Sequence, residues 1–573
     1  MNNKDEYKLN LLRSKDSYNT YEIIRENSSI VLGSKYNYER VLEQLFEKLK
    51  DINENTVIII YGLDSGEYVE ELSRLVTYNN KILIVEPIKE LIRKCEDEKY
   101  KEFNIISTEE IDTYINKGLL DINNIKNVKF HCFGNYSRAF KEEYENFVKK
   151  INELTVNISL NINTINKFKN QATFNIIKNL MEINDSYSFN DWKGIYQGTT
   201  ALIVSAGPSL DKNIKVLLKH KDKLQSYVII AGNRTVKVLI DNGIIPDYIC
   251  AIDPQDVVYD MIKDYLSYNI PLVYTENTNN KLIKLTQGIK IFGSKGLALH
   301  LGNRISSEIC KFYTGGSVAH LQTDVAVKLG CDSIVFLGQD LAYSFQKSHS
   351  DTTKHEIDSN PAKVSTFYVK DIYGNDILTE FSLNNFRIYL EEYIKQVKEI
   401  KDVKFINSSY GAEINGTVFK ELEQVFEDDK FIEIKKKKIP TNGEKIRFSF
   451  NKFLQEFKRS MKEFILDIDK SIYKCEKNLN ISSEKKIKEN LLYINKVNDR
   501  INNYEELFMF DYFWGEFLIK SDSYFQFSVD DSKSSMNYAK KVSNGYREYF
   551  QELKKVIEEI VNVLDEVNSH ISL

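Results

Sequence analysis

The stretch TALIVSAGPSLDKN, residues 199–212, decides how the middle of this chain folds. Thr199 to Ser205 is an apolar run without polar alternation, as expected of a strand buried on both faces of a parallel sheet. Gly207-Pro208-Ser209 reads as a tight turn. Gly207 allows a sharp bend and close backbone approach. Pro208 fixes φ and gives up an N–H that a helix start does not need. Ser209 can cap the helix that follows, LDKNIKVLLK. A strand, a glycine turn and a helix start together can present backbone N–H groups and a helix dipole to an anion. The same arrangement also simply turns a corner, and the local sequence leaves both readings open. No G-K-[ST] follows, so it is not a Walker loop.

Working outward, the rhythm of strand and crossover continues through about residue 425. ALIVSA, SYVIIA, DYICAI, PLVYTE, IKIFG, SIVFLG and VKFINS read as strands. Most are separated by enough chain for a helix, which predicts one mostly parallel sheet covered on both faces. Several of these strands end in small polar or acidic residues. After Gly207-Pro208-Ser209 come Asn233, Asp253, Glu276, and Gln339-Asp340. Carboxyl ends of parallel strands are where open α/β sheets bind ligands, and five such ends in one domain favour a nucleotide-sized site. Thr314-Gly315-Gly316-Ser317 opens a helix, as a second anion cradle or as close helix–sheet packing.

The flanks differ. Before residue 180, VIIIYGLDSG, EYVEELSRLV and KILIVEPIKELI form one βαβ unit after a charged lead-in. Gly62, Gly66 and Glu86 suggest a dinucleotide or S-adenosylmethionine site, but G-x-x-x-G is not G-x-G-x-x-G, and a structural unit is favoured. Helical spacing covers about 150–190. After Pro440 glycine and proline nearly vanish, and apolar residues recur at helical spacing, as in a helical bundle. The aromatics around Trp514 are read as core first and as a partner groove second. The expected fold class is therefore α/β. Residues 1–180 form an N-terminal α/β domain, 181–430 a Rossmann-like catalytic domain with a parallel sheet, and 431–573 a C-terminal helical bundle.

Composition excludes other classes. A net charge of −5 argues against a dedicated nucleic-acid binder. No apolar run is long enough to span a membrane, and the N-terminus lacks a signal-peptide h-region. The 6 cysteines show no C-x-x-C pair, which fits a reducing cytoplasm rather than a disulfide framework.

ALIVSAGPSL, AGNRTVKVLIDNGIIPDYICAIDP, TGGSVAHLQTDVAVKLGCDSIVFLGQDLAYS and NSSYGAEINGT occur in this order. Together they resemble the motility-associated factor (Maf) proteins, most specifically over about 195–415. The central domain is in turn similar to the sialyltransferases of glycosyltransferase family 42. The resemblance implies transfer of a nonulosonic acid (pseudaminic, legionaminic or a related sugar) from a CMP donor to Ser or Thr of flagellin, in the cytoplasm. It implies no tightly bound cofactor beyond the donor. By position, Gly207, Pro208 and Ser209 would approach the donor phosphate or cytidine, and Asn233 the phosphate or ribose. Asp253 would stand near the donor. Thr314, Gly315, Gly316 and Ser317 would form the nucleotide pocket, with Gln339 and Asp340 beside the donor sugar.

One departure concerns the base. The sialyltransferases carry a lid histidine just before a long helix, where this chain reads FYVKDIYGNDILTE. His349 and His355 lie earlier, in SFQKSHSDTTKHEIDSN, where a loop histidine is ordinarily solvated. The candidate bases are Asp340 first, on the rigid mount of a strand end, then Glu276, with Asp371, Asp376 and the two histidines behind them. Asp253 and Asp256 could hold a divalent metal, but the D-x-D hallmark is absent and no metal site is assigned. Two rivals stand beside the transferase: a pterin diphosphokinase-like nucleotide enzyme, and a non-enzymatic flagellin-binding chaperone.

Overall fold

The computed structural model describes the chain except residues 1–6, 54–55, 74–79, 96–99, 101–102, 112–113, 115–126, 306–307, 354–365, 429–442, 522–523, 529–533 and 570–573. The chain forms two compact units. One comprises Met1–Lys167, Arg459–Tyr504 and Asp511–Val561, and the other Phe168–Lys458, Glu505–Phe510 and Asn562–Leu573.

The second unit is built on a nine-stranded sheet. Its spatial order is Val418–Phe419, Lys404–Asn407, Ser333–Leu337, Thr200–Val204, Tyr227–Gly232, Tyr248–Ala251, Leu272–Tyr274, Lys290–Phe292 and Tyr187–Ser188. Every neighbouring pair is parallel. All seven strands expected from the apolar runs are present. The two short edge strands carry too few residues for a periodic signal. The sheet is covered by helices, and its middle strands are fully apolar and buried because both faces are packed. From Thr200–Val204 the chain lays strands outward on one side, then returns to add Ser333–Leu337 on the other. The strand order therefore reverses between Val204 and Leu337, which opens a crevice at their carboxyl ends.

The first unit holds a four-stranded parallel sheet ordered Asn104–Ile106, Lys81–Val85, Val57–Tyr61, Val128–Cys132. The charged lead-in is an antiparallel three-stranded sheet, Lys8–Arg13, Asn19–Arg25 and Ser28–Val31. Its strands are only half buried, so their outer faces carry the charges that hid them in the sequence. The C-terminal segments Arg459–Tyr504 and Asp511–Val561, largely helical, belong to this same unit, and Gln526–Ser528 pairs with Asp51–Asn53. Trp514, Phe513 and Phe517 are buried, so these aromatics are core.

Candidate active site

A pocket of about 320 Å³ lies at the point where the strand order reverses in the second unit. That volume is at the lower end of the roughly 300–1,000 Å³ of small-molecule sites. Four strand ends supply its floor: Ser205 to Gly207, Gly232 to Thr235, Ile252-Asp253, and Gly338 to Ala342. Gly316 to Ala319 close one side, at the start of the helix Val318–Leu329. Ser348 and His349 close another, with Leu383 and Phe386 from the helix Phe381–Ile400.

The turn at Gly207 is held from below by Asp340. Ser209 N donates to Asp340 Oδ2 at 3.0 Å, and Ser209 Oγ donates to Oδ1. Gly207 N donates to Gly338 O at 2.8 Å, and Leu210 N to Gly207 O at 3.0 Å. A Cβ at Gly207 would come within 2.3 Å of Asp340 Oδ2 and 2.5 Å of Gly338 O, so glycine is required by close approach. The N–H groups of Gly207, Ser209 and Leu210 are thus committed inside the protein. Gly207 lines the pocket, whereas Pro208 and Ser209 lie beneath it.

The second glycine pair divides in the same way. A Cβ on Gly315 (φ +45°) would strike the His320 ring at 2.6 Å, which is a packing requirement. Gly316 (φ +82°) and Ser317 face the pocket, and Ser317 Oγ caps the helix by accepting from Ala319 N at 3.3 Å. Thr314 lies outside the pocket and accepts from Ser317 N through its carbonyl. His320 Nε2 meets Phe386 O at 2.9 Å, and burial depresses its pKa to about 4, so the ring is neutral and donates there.

Of the other expected residues, Asn233, Asp253, Gln339 and Asp340 all line the pocket. Asn233 Nδ2 reaches the weak acceptor Met261 Sδ at 3.4 Å. Burial raises the Asp253 pKa, and the nearby Arg234 guanidinium opposes this. Burial also raises Asp340, opposed by the Ser209 hydrogen bonds. Glu276 does not line the pocket. Its carboxylate accepts from Lys295, Gly296 and Leu297 N, each at 2.9 Å, and so anchors the start of the helix Leu297–Leu301. Asp371 shapes an exposed hairpin turn by accepting from Tyr373 and Asn375 N at 2.8 Å. Asp376 pairs with Lys370 on the same hairpin. His355 lies outside the described residues. Asp256 accepts from Asn279 Nδ2 at 2.8 Å, and the described residues contain no cluster of three or more His, Cys, Asp or Glu suited to a metal ion.

A loop histidine is ordinarily solvated, yet His349 is half-buried against the pocket because its loop is tied down. Ser350 N and Thr353 Oγ1 donate to Ala206 O at 3.0 and 3.1 Å. Asp351 N and Thr352 Oγ1 donate to the Asp211 carboxylate, both at 3.0 Å. No local signal announces those long-range bonds. Ser205, which the sequence marks only as a strand end, also lines the pocket, and among the described residues its buried Oγ has no hydrogen-bond partner. Arg234 and Phe386 line it too.

By contrast, the Gly62 and Gly66 crevice of the first unit is filled by its own side chains. A Cβ at Gly62 would lie 2.4 Å from the Tyr136 ring, and one at Gly66 2.5 Å from Tyr100 Oη. Glu86 accepts from Leu63 N at 2.8 Å, Ile88 N at 2.7 Å and Tyr136 Oη at 2.7 Å. No ribose hydroxyl is left a place there, and the structural reading of this motif stands.

Over nearly its whole length the chain superposes on the Maf glycosyltransferase from Magnetospirillum magneticum AMB-1, with a TM-score of 0.54. The superposition covers 98% of this chain and 92% of that one, at 13% sequence identity. This chain has the Maf glycosyltransferase fold. Residues 174–346, which carry most of the pocket, match the family described as 6-hydroxymethylpterin diphosphokinase MptE-like. An uncharacterized protein of Treponema pallidum (strain Nichols) is 35% identical over 82 residues, 14% of this chain. That match spans a third of the Treponema protein's length (33%). Among the described residues no helix is long and apolar enough to cross a membrane.

Proposed function

We propose that this chain is a glycosyltransferase that moves a nonulosonic acid from a CMP donor to Ser or Thr hydroxyls of flagellin. It would act in the cytoplasm, before export, and serve flagellar assembly and motility. The observation that carries this reading is a nucleotide-sized pocket at the reversal point of a parallel sheet, in a chain with the Maf glycosyltransferase fold.

The reaction asks for donors to the leaving phosphate and a base for the acceptor hydroxyl. The acceptor oxygen bonds the anomeric carbon as the bond to the CMP phosphate oxygen breaks. The hydroxyl proton goes to the base, and CMP leaves with the electron pair. Because the Gly207 turn spends its N–H groups internally, the phosphate and cytidine fall to Ser205, Asn233, Arg234, Gly316 and Ser317. Gln339 and Asp253 would face the donor. With Asp253 assigned to the donor, Asp340 and His349 are the lining groups left to take the proton. Both Asp340 oxygens already accept from Ser209, which favours His349 as base and Asp340 as the residue that positions the turn.

Co-expression with flagellin and a nonulosonic-acid pathway, followed by intact mass of the flagellin, tests the proposal. A mass increase of one nonulosonate per site is expected. No increase with any of several CMP-sugars would sink it. The match to the MptE-like family favours one alternative, a pterin diphosphokinase. ATP-dependent conversion of a hydroxymethylpterin, with no response to CMP, would establish that enzyme instead.

A further inference from the structure

In the first unit, residues 459–480 of the helix Phe450–Asn480 and the helix Glu484–Asn502 form a hairpin joined by three residues, 481–483. Near its tip the hairpin carries a groove of about 900 Å³. Lys470, Lys474, Lys477 and Lys486 line it together with Tyr473 and Tyr493. On the first helix these residues recur at three- and four-residue spacing, so they share one face. A face with that spacing is ordinarily core, yet here it is cationic and open, with Tyr473 63% exposed.

The floor is fixed. Lys474 Nζ donates to Asn490 Oδ1 at 3.0 Å and sits 5.0 Å from the Tyr493 ring centroid. Asn490 Nδ2 crosses the hairpin to Asn478 Oδ1 at 2.7 Å. The walls are uncompensated. Among the described residues Lys477 and Lys486 have no carboxylate within ion-pair distance. Lys470 has only Asp467, at 3.7 Å, which Arg500 already holds. Among the described residues a single carboxylate, Glu489, lines the groove. Residues 470–490 hold six lysines against three glutamates, in a chain whose net charge is −5. Leu466 and Leu492, 61% and 59% exposed, add apolar surface on the same hairpin.

We infer that this groove docks an acidic amphipathic helix of a protein partner. Carboxylates would pair with the lysines while an apolar stripe covers the tyrosine and leucine surface. Nucleic acid fits less well, because the described lining of the groove holds no arginine to fork onto phosphates and the whole chain is acidic. A bilayer fits less well because the cationic surface is concave. The inference is independent of the chemistry of the pocket in the other unit.

The test uses the full chain and a fluorescein-labelled peptide of about 20 residues, with Glu and Leu at helical spacing. Binding is read by anisotropy at ~0.1 M salt. Lys477→Glu/Lys486→Glu should weaken binding at least about tenfold, whereas Lys395→Glu/Lys398→Glu on another surface helix should change it less than about twofold. Lys477→Gln/Lys486→Gln, with its thermal melt recorded, should weaken it about threefold and guards against misfolding. No binding by the unsubstituted protein overturns the inference, as does equal loss in the control pair. So does tighter capture of a thymidine oligonucleotide of equal charge, or of phosphatidylserine vesicles.

Discussion

Ser209 and Asp340, 131 positions apart, are joined by two hydrogen bonds, from the serine N–H at 3.0 Å and from its hydroxyl. Tyr410 N completes the arrangement by donating to Ser209 Oγ at 2.8 Å. Three segments that meet only in the fold therefore fix the floor of the pocket.

Ser209→Ala removes the hydroxyl donor from a buried carboxylate and the acceptor from Tyr410 N. The expected loss of stability is about 1–3 kcal/mol, measured by urea unfolding. Nucleotide affinity should fall with it, because the strand end carrying Gln339 loses its anchor.

Ser205→Ala should behave in the opposite way. Among the described residues its buried hydroxyl has no partner, so its removal should alter stability by no more than ~0.5 kcal/mol. CMP binding, measured by calorimetry, should weaken by about threefold to tenfold if the ligand supplies the missing partner. Unchanged CMP affinity would remove Ser205 from the site.

His349→Ala should lower the transfer rate about 100-fold with CMP affinity nearly unchanged, as for loss of a general base. Asp211→Ala frees the loop that carries His349 and should lower the rate by a smaller factor, about threefold to tenfold. Single-turnover transfer separates the two effects from binding. A fully active His349→Ala protein would return the base role to Asp340.

Glu86 and Asp64 make the first unit sensitive to pH. Burial raises Glu86 from 4.5 to about 7 and Asp64 from 3.8 to about 6. Both folded-state values lie above the unfolded ones. The stabilisation is therefore complete below about pH 4 and is lost as pH rises through about 6 and about 7. In a Trp192→Phe background the fluorescence of Trp514 reports this unit. Its unfolding midpoint should fall between pH 5 and pH 8, and Glu86→Gln should flatten that slope.

The parallel sheet and its seven main strands were legible because runs such as ALIVSA and SIVFLG are apolar on both faces. Asn233, Asp253, Gln339 and Asp340 were legible as pocket residues because a strand's carboxyl end is marked by the polar residue that stops it. Asp371 and Glu276 show the limit of that logic. Asp371 sits in a hairpin turn, Glu276 follows a strand but reaches the start of the helix Leu297–Leu301, and both carboxylates are used up by backbone N–H groups. The half-buried strands before residue 32 gave no signal, because their charged outer faces break the apolar alternation.

The stretch at 199–212 determined by itself a buried strand, a glycine turn and a helix start, since these follow from apolar run length and from the φ freedom of Gly207. Whether its N–H groups face a ligand or the protein was settled only by tertiary structure. Gly338 and Asp340, more than 120 residues away, accept from the turn, and Ala206 and Asp211 hold the loop that brings His349 to the pocket. Hydrogen bonds between segments so far apart leave no trace in local spacing, because their geometry exists only once the sheet has brought those strand ends together.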